Sequence, residues 1–189
     1  MARHISPPDD LPPRERILHA AHALFYGQGI RATGIDKIIE AASVTKVTFY
    51  RHYPSKELLV TAYLEFRHER WIRWFRESLE LNLAAGTSKI DALAFTLRDW
   101  FEREEFRGCA FLNAAAEFGS THPDILQVVR DHKNDVATCL NEVFESRDAG
   151  LGRCLTVAID GAIVHAQMGE SADRAIAALR GLARCVLDD

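Results

Sequence analysis

The 189-residue sequence predicts an all-α protein. Three observations carry that reading. Apolar residues recur at the 3.6-residue spacing of helical faces along most of the chain. Glycines and prolines punctuate these segments at the places where helices start and stop. No run of alternating apolar and polar residues lasts long enough to make a strand. About nine helices are expected: a three-helix unit near the N-terminus, then a larger helical domain.

Residues 1–11 are polar and proline-bearing and read as a flexible N-terminal arm. Pro12-Pro13 opens the first helix, since proline is tolerated in a first turn. Ile17, Leu18, Ala21, Leu24 and Phe25 give it one apolar face, and Gly27-Gln28-Gly29 stops it. Thr33 is expected to cap a short second helix that turns Ile35, Ile38, Ile39 and Ala42 inward. Ser43-Val44 makes a tight turn; if Ser43 takes a positive φ there, serine costs about 1 kcal/mol relative to glycine. Thr45 caps a third helix ending near His52, and Pro54-Ser55 breaks it. A long helix is expected over about 55–84, ended by Gly86. Further helices are expected over about 88–104, 108–118, 123–146, 150–168 and 172–187. By this division residues 12–56 form one domain and residues 57–189 the other.

The formal charge is -4, which argues against a protein that coats nucleic acid without selectivity. The charge is unevenly spread. Residues 1–60 hold eight of the 23 Lys and Arg but six of the 27 Asp and Glu, a net of +2, leaving -6 on the rest. A positive head suits a protein that presents one end to an anion. Cys109, Cys139, Cys154 and Cys185 form no C-x-x-C pair and have no histidine at metal-ligand spacing, so they read as thiols of a reducing compartment. Neither a signal peptide nor a transmembrane run is apparent, and the expected location is the cytoplasm, with no membrane partner.

The chemistry concentrates in the first unit. Three short helices with a tight turn between the second and third form a helix-turn-helix, in which the third helix must be apolar inside and polar outside to lie in a major groove. Val44 and Phe49 supply the inner face. Thr45, Lys46, Thr48, Tyr50 and Arg51 supply the outer one. The run Gly29-Ile30-Arg31-Ala32-Thr33-Gly34-Ile35, then Ser43-Val44-Thr45-Lys46-Val47-Thr48-Phe49-Tyr50-Arg51-His52-Tyr53-Pro54-Ser55-Lys56-Glu57-Leu58-Leu59, resembles the TetR family over roughly residues 14–60. The stretch 108–118 also resembles some members.

The resemblance implies a homodimeric transcriptional regulator. Such a protein represses by binding double-stranded operator DNA and leaves it when a partly apolar small-molecule effector enters the second domain. By position, Lys46, Val47, Thr48 and Tyr50 would face base edges, and Thr33, Tyr50, Arg51, His52 and Lys56 would touch phosphates, with Thr45 beside them. Ser43 and Val47 stand where the family commonly has glycine or another small residue.

Elsewhere the readings are plainer. Glu65-Phe66-Arg67-His68 has the spacing of a carboxylate-bridged metal site but lacks the second copy such a site needs, so it reads as a solvated helix. His122-Pro123-Asp124 reads as a turn and helix start, and His165 as a packed or interface histidine. Trp74, Phe95, Trp100, Phe111 and Phe118, with Asn113 and Glu117 as polar handles, are candidates for lining an effector pocket. Leu155, Ile159, Ala162, Ile163, Leu179 and Leu182 are candidates for a dimer interface. No cofactor, metal site or catalytic constellation is read, so an enzyme is not expected. The competing reading is a helical small-molecule-binding protein with a vestigial DNA-binding domain, against which Lys46, Tyr50 and Lys56 argue.

Overall fold

In the computed structural model, which describes residues 10–146 and 148–188, every described element is helical. Most of the expected arm lies outside the described residues. In order the elements are α1 (Pro13–Gln28), α2 (Ile35–Ala41), α3 (Lys46–His52), α4 (Lys56–Ala84), α5 (Lys89–Phe101), α6 (Ala110–Phe118), α7 (Pro123–Phe144), α8 (Ala149–Gln167) and α9 (Ala172–Asp188). A single 3-10 turn, Gly119–Thr121, separates α6 from α7. The chain forms two compact units. Of the described residues, one takes in 10–67 and 113–128, the other 68–112 and 129–188 apart from 147.

In the first unit, α1 begins at Pro13 and turns Ile17, Ala20, Ala21 and Phe25 into the core. Phe25 meets Tyr63 of α4 edge-on at 5.4 Å, and His22 meets the same ring at 5.8 Å. Ile38 and Ala42 are buried, with Ile35 and Ile39 half-buried. The expected cap of α2 is corrected. Gly34, not Thr33, precedes the helix, and no side chain caps it. Thr33 is buried instead, and its hydroxyl donates to the carbonyls of Gly29 at 2.8 Å and Leu24 at 3.4 Å. A buried hydroxyl must spend its hydrogen bond on a neighbour, and the carbonyls of the preceding turn are what it reaches.

The turn after α2 is set by backbone geometry. Val44 N–H donates to the Ile39 carbonyl and Ser43 N–H to that of Glu40, the paired bonds that close a helix through a left-handed residue. That residue is Ser43, at φ 50°. Thr45 then caps α3, its hydroxyl accepting from Thr48 N–H at 3.1 Å.

In the second unit, α9 packs on α8 and α5. Arg98 of α5 pairs with Asp173 of α9, and Arg180 of α9 with Asp91 of α5 at 2.9 Å. Within the buried face of α5, Thr96 accepts from Ser78 at 3.1 Å and from the Asn82 amide at 3.2 Å. Helix α5 ends at Phe101, earlier than expected, because the chain folds back so that Phe106 lies 5.3 Å from both Trp100 and Phe101. Lys133 of α7 bonds Asp160 of α8 at 2.5 Å; burial pushes the Asp160 carboxyl up, and the lysine opposes that. Helices α7 and α8 are in close contact at Gly152, whose N–H donates to the Asn141 side chain at 2.7 Å. A Cβ on Gly152 would sit 2.1 Å from the Ala137 carbonyl oxygen.

Two substitutions test this account by urea denaturation. Gly152→Ala should destabilise the protein by about 2 kcal/mol, overpacking outweighing the ~1 kcal/mol that alanine gains in a helix. Ser43→Gly should stabilise it by about 1 kcal/mol by removing the Cβ from a left-handed residue. A neutral Gly152→Ala or a destabilising Ser43→Gly contradicts the corresponding geometry.

Candidate nucleic-acid interface

Helix α3 has one inward residue and an outward row. Phe49 is fully buried. Val47 is 70% exposed and Tyr50 40%, and Thr45, Lys46 and Arg51 are exposed as well. Thr48 and His52 are half-buried. The Tyr50 ring stands edge-on to Phe49 at 5.3 Å, so the buried ring steadies the exposed one. Lys46 lies 3.9 Å from Asp36 of α2, both well exposed. A solvent-exposed pair of that length contributes little and leaves the ammonium available to a phosphate.

The next helix begins beside this row. Ser55 accepts from the Leu58 N–H at 3.2 Å, capping α4, and Lys56 is its first residue. Burial lowers the Lys56 ammonium pKa, and the carboxylates of Glu117 and then Glu57 hold it up. Lys56 Nζ lies 6.0 Å from the centre of the Phe25 ring, so its stem is packed while its head stays at the surface. A cation at a helix N-terminus, with the free amides of that turn, is suited to an oxyanion. Arg14 lies 5.7 Å above the ring of buried Tyr53, whose hydroxyl pKa burial pushes up.

Eight of the nine residues expected to meet DNA are thus at the surface or half-exposed on α3 and at the two ends flanking it. Thr33 is the correction: buried, with its hydroxyl directed inward, it offers no side-chain contact to a phosphate.

The candidate effector residues are divided between the two units. Trp74, Trp100 and Phe111 belong to the second unit, among further aromatic rings and one ring, His132, that sequence reasoning passed over. Trp71 stacks on Phe75 at 4.7 Å and meets Trp100 at 5.5 Å. Phe111 lies flat on buried His132 with centroids 3.5 Å apart. The His132 Nδ1 is 3.0 Å from the Nδ1 of His68, and His68 Nε2 is 3.5 Å from Asp135. His132 falls on the apolar face of α7 with Ile125, Val129, Val136 and Cys139, a pattern present in the sequence. Phe95 is corrected: it is 40% exposed on α5 and covered by the Arg180 guanidinium at 5.3 Å. Asn113, Glu117 and Phe118 belong to the first unit. Glu117 is corrected too, since its carboxylate is taken up by the backbone amides of Ile30 and Arg31.

The candidate dimer residues are corrected in the same way. Leu155, Ile159, Ala162, Ile163 and Leu179 are buried within the single chain, because they are the faces on which α8 and α9 pack into their own unit. Leu182 is 52% exposed. The large apolar residues left exposed here are Val157 and Val164 of α8, Met168 just after it, and Leu182 and Leu187 of α9. Cys109 and Cys139 are buried free thiols, and Cys154 and Cys185 exposed ones. Among the described residues no group of three His, Cys, Asp or Glu is placed to hold a metal ion, and no helix is long and apolar enough to cross a membrane.

Comparison with known proteins agrees with this geometry. Residues 17–63 match the family model for bacterial regulatory proteins of the tetR family. The HTH-type transcriptional regulator UidR of Escherichia coli strain K12 is 35% identical over 69 residues, which cover 36% of this chain and 35% of UidR, about a third of that relative's length. A TetR-family transcriptional regulator from Streptomyces coelicolor superposes with a TM-score of 0.73 at 30% identity, over 92% of this chain and 95% of its own. A TetR transcriptional regulator from Chloroflexus aurantiacus gives a TM-score of 0.75 at 28% identity, over 93% and 94% of the two chains. With the helix-turn-helix in place, and with nearly the whole length shared with a regulator at that identity, the chain belongs to the TetR family.

Proposed function

We propose that this protein is a sequence-specific DNA-binding transcriptional regulator, a homodimer that represses by occupying double-stranded operator DNA and is released by a small-molecule effector. The observation that carries the reading is the division of α3: Phe49 alone is buried, while Lys46, Val47, Tyr50 and Arg51 stand outward together on a helix joined to α2 by a tight turn. An outward row of that composition offers donors for acceptor edges in the major groove and an apolar surface for thymine methyls. The net charge of +2 on residues 1–60, against -6 on the remainder, supports approach of that end to DNA.

Three parts of the proposal go beyond this row. Two-fold assembly is supported by the apolar residues left in solvent on α8 and α9 and just after α8, Val157, Val164, Met168 and Leu182, which a second copy would cover. An effector of partly apolar character is supported by the ring cluster of the second unit, Trp71, Trp74, Trp100 and Phe111 with His132, which offers flat apolar faces beside a few polar atoms. A binding role rather than catalysis, in the cytoplasm, is the reading consistent with a family of regulators.

Lys56 gives the sharpest test. Lys56→Ala should weaken binding to operator and unrelated DNA alike. The slope of log K against log salt concentration should fall by about one, because one phosphate contact is lost. Tyr50→Ala should instead weaken operator more than unrelated DNA. Anisotropy titrations at several salt concentrations read both. A Lys56→Ala protein with unchanged affinity and slope would show that the N-terminus of α4 does not meet the DNA backbone.

A further inference from the structure

Helix α2 starts without help from a side chain: Gly34 precedes it, and no side chain caps its free amides. A seven-residue helix lacking a cap has little of its own to fix where it begins. The turn ahead of it is held from a distant part of the sequence. Glu117, in the last turn of α6, accepts the Ile30 N–H through Oε1 at 3.0 Å and the Arg31 N–H through Oε2 at 2.6 Å. Gly29, at φ 90°, precedes the pair, and the two successive amides of this turn converge on one carboxylate as in a backbone anion-binding concavity. Here the anion is the protein's own carboxylate. The Arg31 guanidinium lies 5.9 Å from the centre of the Phe118 ring, so α6 holds this residue by both backbone and side chain. Thr33 ties the other end of the turn back to Gly29 and Leu24.

We propose that Glu117 is a positioning residue for operator recognition: its carboxylate clamps the turn that launches α2 and thereby fixes α3 for reading DNA, while touching no DNA itself. The role rests on the reading of α3 as the DNA-reading helix.

Two effects of removing Glu117 have opposite signs. The carboxylate is one of the charges that act on Lys56, so its loss makes this surface more positive and raises affinity for any DNA. Loss of the clamp frees the turn and lowers affinity for the operator alone. Two charge-assisted bonds outweigh one screened charge near a half-exposed lysine, so the second effect should win.

Glu117→Gln, close in shape and retaining one acceptor oxygen, and Glu117→Ala, retaining none, measure the balance. In the free protein, hydrogen exchange at the Ile30 and Arg31 amides should accelerate about tenfold or more in Glu117→Ala, and less in Glu117→Gln. Operator affinity should fall about tenfold in Glu117→Ala, with an intermediate loss in Glu117→Gln. Affinity for unrelated DNA should hold or rise, and the salt slope should not change, since no phosphate contact is lost. Unchanged exchange at both amides would show that there is no clamp. Operator affinity that is unchanged or raised, with exchange accelerated, would show that the clamp does not position α3. If the wild-type protein binds no DNA, the DNA-binding reading fails and this role with it, and the exchange data still report the clamp separately.

Discussion

Helices α2 and α3 are seven residues each, about two turns, and backbone hydrogen bonds alone do not sustain helices of that length in water. Their persistence depends on burying one large side chain apiece, Ile38 on α2 and Phe49 on α3, in the core that α1 and the opening of α4 complete. Burying a side chain of this size contributes about 1.5–3 kcal/mol, comparable to what ordering one or two residues costs. The outward row on α3 is therefore a consequence of an inward contact. Lys46, Tyr50 and Arg51 are presented together because Phe49 cannot turn away from the core. The Thr45 cap and the left-handed Ser43 set where the helix begins, and Phe49 sets which way it faces.

The second unit is organised by a different balance. Its helices are longer and carry cross-links of charge and of close approach: Arg98 with Asp173, Arg180 with Asp91, Lys133 with Asp160, and the α7–α8 contact at Gly152. The exposed pairs contribute little each. Lys133 and Asp160 are less exposed, and removing either alone would leave a largely desolvated charge behind. His132 is buried in this unit, flat against Phe111 and bonded through His68 toward Asp135.

The features legible in the sequence are those determined locally. The α1–α4 boundaries follow from Pro13, Gly29, Thr45, Pro54 and Ser55, and the inward place of Phe49 follows from spacing. The strain expected at Ser43 is present as a positive φ. What could not be read depends on which partner a side chain meets once folded, near in the chain or far from it. Thr33 has the composition of a cap, but its hydroxyl is spent on the carbonyls of the preceding turn. Glu117 has the composition of a pocket handle, but two amides some 86 residues earlier claim it. Helices α8 and α9 carry apolar residues on more than one face, so periodicity alone does not say which face the subunit keeps. It keeps Ile159, Ile163 and Leu179 and leaves Val157, Val164 and Leu182 in solvent. Phe95 looked like one of an aromatic group, yet it lies on the outer side of α5 under Arg180.

The central claim is that two copies of α3 are presented together to successive major grooves of one DNA duplex. Hydroxyl-radical footprinting of the wild-type protein on the DNA upstream of its own gene tests this directly. The account predicts protected patches whose centres lie one helical turn, about 10 base pairs, or a whole multiple of it apart, with an approximate two-fold relation between the strands. A single isolated patch, or even protection with no preferred position, would contradict it.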